Sequence, residues 1–354
     1  MKKNLLPLLF LHTEAARMPM TDVGKHLKQS PQRLAYQLGS LEREGVIKQA
    51  YSIIDYSYFG LVLFKVYFHG AYVSENEKKT LLAELLEHPF IVAVYELSGE
   101  FDLAVEFACP NPSKFNKEWK ELIRKNQGLN DCKVSLNVVT YICPKRYMAG
   151  RQELGSLFPE AIIGGDRITV NFTEQERLIV RAILMDPLAR YTKLALLTGL
   201  NIKTVRSVLL DLQKREIIRG YKCLIDTYQA GVYMSRLFLR LHHINLEREN
   251  LLLKRILSTP EVVKVSKTIG DWSMEVDLES FDRRRIKEIM VSLREEFKEL
   301  IERSSLMEFY DYYWRAFLPR FIFKDLDEKK MESTKMESTK DVPSVRVQKR
   351  SAQR

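Results

Sequence analysis

KQSPQRLAYQLGSLEREGVIKQAYSIID (Lys28–Asp55) and GLNIKTVRSVLLDLQKREIIRGYKCLID (Gly199–Asp226) lie 171 residues apart and read alike. Each opens on a residue suited to cap a helix, Ser30 with Pro31 at the first helical position and Asn201 before Ile202. Apolar residues then recur at helical spacing, as in Val205, Val208, Leu209 and Leu212. Each stretch leaves through a short β-rich run. Working outward at the same spacing, residues 20–107 align with 191–278 without a gap, and Leu38/Leu209, Ile47/Ile218, Asp55/Asp226, Gly60/Gly231, Pro89/Pro260 and Gly99/Gly270 are identical. The period is too long for a solenoid turn, so each copy is a complete structural unit.

Within each copy, helices precede the quoted stretch. FTEQERLIVRAIL has Thr173 as N-cap with Glu174 and Glu176 in the first turn, and Asp186-Pro187 stops it; a short helix near Lys193–Thr198 follows. The first copy has helices near Leu5–His12 and Asp22–Lys28. A helix, a tight turn and a second capped helix within about 25 residues is helix-turn-helix spacing. Strand-like and helical runs then alternate as β-α-β-β-α-β, the ferredoxin-like order. The expected fold class is therefore α+β, with two copies of a winged helix-turn-helix followed by a ferredoxin-like domain. The expected boundaries are 1–57 and 58–150, a linker 151–172, then 173–229 and 230–324. A tail of 325–354, with a duplicated MESTK and almost no aromatic residue, is expected to be disordered. Two such sheets have an obvious way to bury their open faces, against each other.

The 354 residues carry a formal net charge of +10. Residues 1–50 hold 8 Lys/Arg against 4 Asp/Glu and residues 151–223 hold 12 against 8, whereas 51–150 and 224–324 are nearly neutral. A basic excess confined to the two small modules is the footprint of a polyanion-binding surface. No apolar run approaches a membrane span, and the four cysteines form no C-x-x-C pair, so neither a membrane nor a metal partner is expected and the expected location is cytoplasmic.

Together the two quoted stretches, Phe59-Gly60 and Ala230-Gly231 after them, and the loops SGEFD (Ser98–Asp102) and IGDWS (Ile269–Ser273) resemble the Lrp/AsnC (feast/famine) transcription regulators over about nine tenths of the chain. That resemblance implies an intrachain pseudo-dimer acting as a sequence-specific regulator on double-stranded DNA, modulated by a small amino-acid-like effector and able to assemble further as a homo-oligomer. It implies DNA contacts from Ser30, Gln32, Arg33, Tyr36, Gln37, Ser40 and Arg43 in the first module. The second module would contribute Lys203, Thr204, Arg206, Ser207 and Lys214. Members commonly carry arginines at the positions of Gln37, Gly39 and Ser40 and of Val208, Leu210 and Asp211, and this chain has none there. Effector binding falls on Ser98, Gly99 and Asp102, whose carboxylate could hold an α-amino group. Gly99 and Gly270 also suit turns that need a positive φ.

Paired units of this architecture also occur in siroheme decarboxylases. His69, His242 and His243 fall on or near first strands, but no Ser/His/Asp, Cys/His or paired-carboxylate spacing is visible. On that ground the chain is expected to be no enzyme and to carry no cofactor, with a siroheme-decarboxylase-like enzyme or a sensor that does not bind DNA as the alternatives.

Overall fold

A computed structural model describes residues 3–243 and 245–326; most of the tail expected to be disordered lies outside the described residues. The first copy runs α1 (Leu6–Glu14), α2 (Met20–Leu27), α3 (Pro31–Arg43), β1 (Ile47–Ile54), β2 (Val62–Phe68), α4 (Glu75–Glu87), β3 (Ile91–Ser98), β4 (Leu103–Cys109), α5 (Pro112–Lys125) and β5 (Cys132–Ile142). A connector holds α6 (Gln152–Gly155) and β6 (Ala161–Gly164). The second copy repeats the order as α7 (Glu174–Met185), α8 (Tyr191–Thr198), α9 (Ile202–Lys214), β7 (Ile218–Ile225), α10 (Thr227–Ala230), β8 (Tyr233–Leu241), α11 (Leu246–Leu257), β9 (Val262–Ile269), β10 (Met274–Ser280), α12 (Arg283–Glu296) and β11 (Ile301–Arg315). The chain divides at Pro319 into two compact units, and the described part of the second holds a 3-10 turn, Arg320–Phe323.

Local chemistry sets the helix ends. Ser30 Oγ accepts from Arg33 N, Asn201 Oδ1 accepts from Thr204 N at 2.8 Å, and Thr173 with Glu176 forms a reciprocal capping box. Gly199 closes α8 in the left-handed region. The strand leaving each helix trio finds its partner in the other copy: β1 and β7 pair antiparallel as a two-stranded ribbon. Lys48 bridges Asp226 at 3.1 Å, and its counterpart Arg219 lies 4.0 Å from Asp55. Each copy thus reaches across to the aspartate that caps the short helix after the other's ribbon strand, the 3-10 turn Tyr56–Phe59 after Asp55 and α10 after Asp226.

The two ferredoxin-like sheets meet at both edges. The strand order β2-β4-β3-β11-β8-β10-β9-β5, with β5 also paired to β2, is a closed ring of eight antiparallel strands, and β6 extends from β5. The long strands β5 and β11 make the closure. Leu63–Phe68 pairs with the first part of β5, whose later part pairs with β9; β11 likewise pairs with β8 through Glu308 and then with β3. Helices cover the outside: Leu237, Met274, Val276 and Leu278 pack against Leu252, Ile256, Ile286 and Ile289 of α11 and α12. The alternate residues of the same strands face the lumen. An eight-stranded ring has an interior just wide enough to be filled by side chains or to hold one small ligand.

Candidate functional site at the barrel mouth

The lumen is graded along its length. Its far end is apolar, with Phe101, Phe238, Trp272, Leu97 and Met307 in one cluster. Its middle is ionic. Lys65 on β2 stands opposite Glu106 on β4, and at the repeat spacing Arg236 on β8 stands opposite Asp277 on β10. Lys65 then takes its partner from the other copy, whereas Arg236 keeps Asp277 and reaches the other copy through tyrosines. Lys65 Nζ donates to Glu275 Oε2 at 2.6 Å, and Arg236 donates to Asp277 at 2.6 and 3.0 Å and to Tyr67 and Tyr95 at 2.9 and 2.5 Å. Lys264 bridges Asp277 at 3.0 Å and Glu106 at 3.9 Å.

Burial dominates the electrostatics. It lowers the pKa of Lys65 and Lys264 in spite of the nearby carboxylates. Burial pushes the carboxyls of Asp277 and Glu106 upward, but Arg236 and Lys264 around the first, and Lys264 and Lys65 around the second, outweigh it and hold both low. Replacing buried charges by apolar residues is often neutral or stabilising, so an ionic lumen is not what packing alone would select.

At the mouth, beneath the β1–β7 ribbon, Arg315 adds a fourth cation to the three carboxylates Glu106, Glu275 and Asp277. Its Nη1 donates to Tyr312 Oη at 2.8 Å, and its guanidinium lies over the rings of Tyr51, Tyr312 and Phe317. Among the described residues no carboxylate stands at ion-pair distance from it. Tyr312 Oη also accepts from Lys264 Nζ at 3.4 Å. Burial raises the Tyr312 hydroxyl to about 12 against the pull of Arg315, so it keeps its proton at neutral pH. A cavity of about 60 Å³ opens here, lined by Lys48, Lys145, Lys222, Lys264 and Arg315 together with Asp277, Glu279 and Asp311. Lys145 and Tyr147 hold Glu279, and Lys222 holds Glu14 at 2.5 Å. The space suits a few waters or one short acid arm, far less than the ~300 Å³ of a typical ligand pocket.

The residues expected to contact DNA lie at the start and on the outer faces of α3 and α9. Ser30, Gln32, Arg33, Tyr36, Arg43, Lys203, Arg206, Ser207 and Lys214 are exposed, and Gln37, Ser40 and Thr204 are half-buried. Ser40 Oγ donates to Glu44, and Asp211 is paired with Arg215. The effector set sits towards the apolar end of the lumen. Asp102 Oδ2 accepts from the backbone N–H of Gly70, while Gly99 and Gly270 take φ of +133° and +151°. None of the expected effector residues Ser98, Gly99 and Asp102 lines the mouth cavity. Among the described residues no group of three or more His, Cys, Asp or Glu is placed to hold a metal, and no helix is long and apolar enough to cross a membrane.

No family model matches the chain, and no curated protein matches it. Solved structures do. The crystal structure of the siroheme decarboxylase NirDL covers 95% of this chain and 100% of its own at 12% identity and a TM-score of 0.56. Its complex with an iron-uroporphyrin III analogue covers 92% and 99% at 12% identity and a TM-score of 0.55. An AsnC family regulator from Agrobacterium tumefaciens is similar over 40% of this chain and 89% of its own, at 16% identity and a TM-score of 0.34. Over nearly the whole chain the fold is similar to that of NirDL.

This likeness corrects the expectation that the chain is no enzyme, because the fold matched over its full length is that of one. The physical reason for the miss is clear. Linear spacings of His, Ser and Cys carry no signal of the lumen, which is furnished by Lys, Arg, Glu, Asp and Tyr. These residues sit on alternate positions of strands of both copies, and the side chains of the two copies converge only when the barrel closes. The one sequence signal was the repeat itself, which matches Lys65 with Arg236 and Glu106 with Asp277.

Proposed function

We propose that this chain is an enzyme that decarboxylates an acid-bearing substrate at the mouth of the barrel, siroheme being the first candidate by analogy with NirDL. The observation that carries the reading is Arg315, a guanidinium that among the described residues has no carboxylate at ion-pair distance, although Glu106 and Asp277 act on it from farther off, and that faces a small cavity beside a half-buried, protonated tyrosine. Arg315 would hold one acid arm. Loss of that arm as CO2 breaks its C–C bond, leaves the electron pair on the ring-side carbon and calls for one proton in return. Tyr312, whose oxygen already accepts from two cations, is positioned to donate that proton. A buried acid arm flanked by fixed cations is also oriented before reaction.

The test is anaerobic incubation with siroheme, followed by mass spectrometry for products lacking one or more CO2. Tyr312→Phe should lower turnover about 100-fold or more while leaving binding nearly intact. Unchanged siroheme with the wild-type protein would overturn the reading.

A second reading, regulation through DNA, is favoured by the exposed basic residues Arg33, Arg43, Lys203, Arg206 and Lys214 on α3 and α9. It would give a salt-steep affinity for duplex DNA that Arg33→Ala and Arg206→Ala weaken, by ~1–3 kcal/mol where a base contact is lost.

A further inference from the structure

Helix α9 carries exposed side chains that neither core packing nor DNA contact calls for. Ile202 and Leu210 lie about two turns apart on its outer face and are 48% and 49% exposed. Leu196 and Leu197, near the end of α8, are 84% and 44% exposed. Exposed apolar side chains grouped on two consecutive helices mark a surface that another molecule covers. Asp211 is exposed on the same helix and would repel a phosphate backbone. At the repeat spacing the first copy has Lys25, His26, Pro31, Gly39 and Ser40 at these five positions, so the feature belongs to the second copy alone.

The charges on this face have a two-fold pattern. Lys203, Ser207 and Asp211 follow one another at intervals of four residues, and all three are exposed. Lys203 and Asp211 are ~12 Å apart along the helix axis, too far to pair with each other. A second copy laid antiparallel, with the two-fold axis through Ser207, sets each Lys203 beside the partner's Asp211 at both ends of the contact. The small side chain at 207 lets the helices approach at the crossing, where the matching position of α3 holds the bulky Tyr36. Asp211 Oδ2 already accepts from Arg215 at 2.9 Å, which leaves Oδ1 for an incoming ammonium. Among the described residues Lys203 has no carboxylate at ion-pair distance.

We propose that the chain dimerises through α9, this face being covered by the same face of a second copy. Two Lys203–Asp211 pairs would set the register, and Leu210, one turn from the crossing, is covered by the facing helix. The inference is independent of the barrel mouth, and it goes beyond an expected homo-oligomer by naming the face and its symmetry. One such face per chain closes the assembly at two. Arg206 and Lys214 flank the contact and repel their own images, so the dimer is weak and reversible.

The experiment is sedimentation equilibrium of the full chain over a range of concentrations, where a monomer–dimer equilibrium is expected. Lys203→Asp and Asp211→Lys should each weaken the dimer about tenfold, because each sets like charges together twice. The double variant, Lys203→Asp with Asp211→Lys, restores opposite charges and should return to within about threefold of wild type. Leu210→Glu should weaken the dimer about tenfold. Gln32→Asp, at the matching position of the first copy, should change nothing. All four positions are exposed, so melting temperatures near wild type will show that the fold is intact. A chain that stays monomeric at about 100 µM would overturn the proposal. So would a dimer that the single charge reversals leave unchanged, or a double variant as weak as the singles. Duplex DNA as the true occupant would overturn it too, with Asp211→Lys tightening and Lys203→Asp loosening DNA binding by a monomer. Siroheme conversion should be the same in every variant, and its absence from the wild type would remove the decarboxylase while leaving the dimer.

Discussion

Lys65 and Glu275 form the most buried ion pair between the two copies, 2.6 Å apart and almost without solvent contact. Neither has water to fall back on. Removing one partner leaves an uncompensated charge, so Lys65→Met should cost ~3–5 kcal/mol in urea unfolding, while Lys65→Met with Glu275→Leu should cost clearly less. Equal losses in both would mean that the pair itself stabilises the barrel. Asp277 makes a separate prediction in acid. Burial pushes its carboxyl up, but Arg236 and Lys264 outweigh that and hold it far below the usual range. In the acid window the unfolded chain therefore binds more protons than the folded one, and stability rises with pH. The contribution is present above the unfolded value of ~4 and is lost as the pH falls through the folded value. Asp277→Asn should lower stability at pH 7 and flatten the dependence of Tm on pH below about pH 5; an unchanged acid slope would count against the network.

Individual elements were legible wherever their cause is local. The caps at Ser30, Thr173 and Asn201, the stop after Met185 and the glycine at 199 depend on side chains within a few residues of the backbone groups they satisfy. Thr173→Ala should accordingly cost ~1 kcal/mol, read from thermal unfolding, with no effect on the barrel mouth. The βαββαβ order was equally legible, and so was the expectation that two sheets bury their open faces together. Closure was not. It depends on β3 meeting β11 and β5 meeting β9, pairings between strands far apart in sequence that no local propensity records. Without closure, the alternation in MEVDLES or LFKVYF reads as a strand with one face in water. Glu275, Asp277 and Lys65 then look like ordinary surface residues, which is why the candidate site was missed although every residue of it was visible.

At the scale of the molecule the two copies have stopped being interchangeable. Positions of the first copy that face the lumen with small side chains, Ala93, Ala104 and Ala108, correspond at the repeat spacing to Lys264, Glu275 and Glu279 in the second. Small faces large across the barrel. Pairing two second copies would crowd duplicate lysines and carboxylates into one lumen, and pairing two first copies would leave voids where those side chains now sit. The unlike pair is therefore the favoured one. Expressed separately and mixed, residues 1–165 and 166–354 should assemble one to one and regain cooperative unfolding, with either segment alone markedly less stable. Size-exclusion chromatography with denaturant melts of each segment and of the mixture reads this directly. Two like pairs as stable as the mixture would show that the lumen charges do not select their partner. Covalent fusion raises the effective concentration of the unlike copy above that of any competitor in solution. The linkage thus protects an asymmetric lumen that a symmetric dimer would not build.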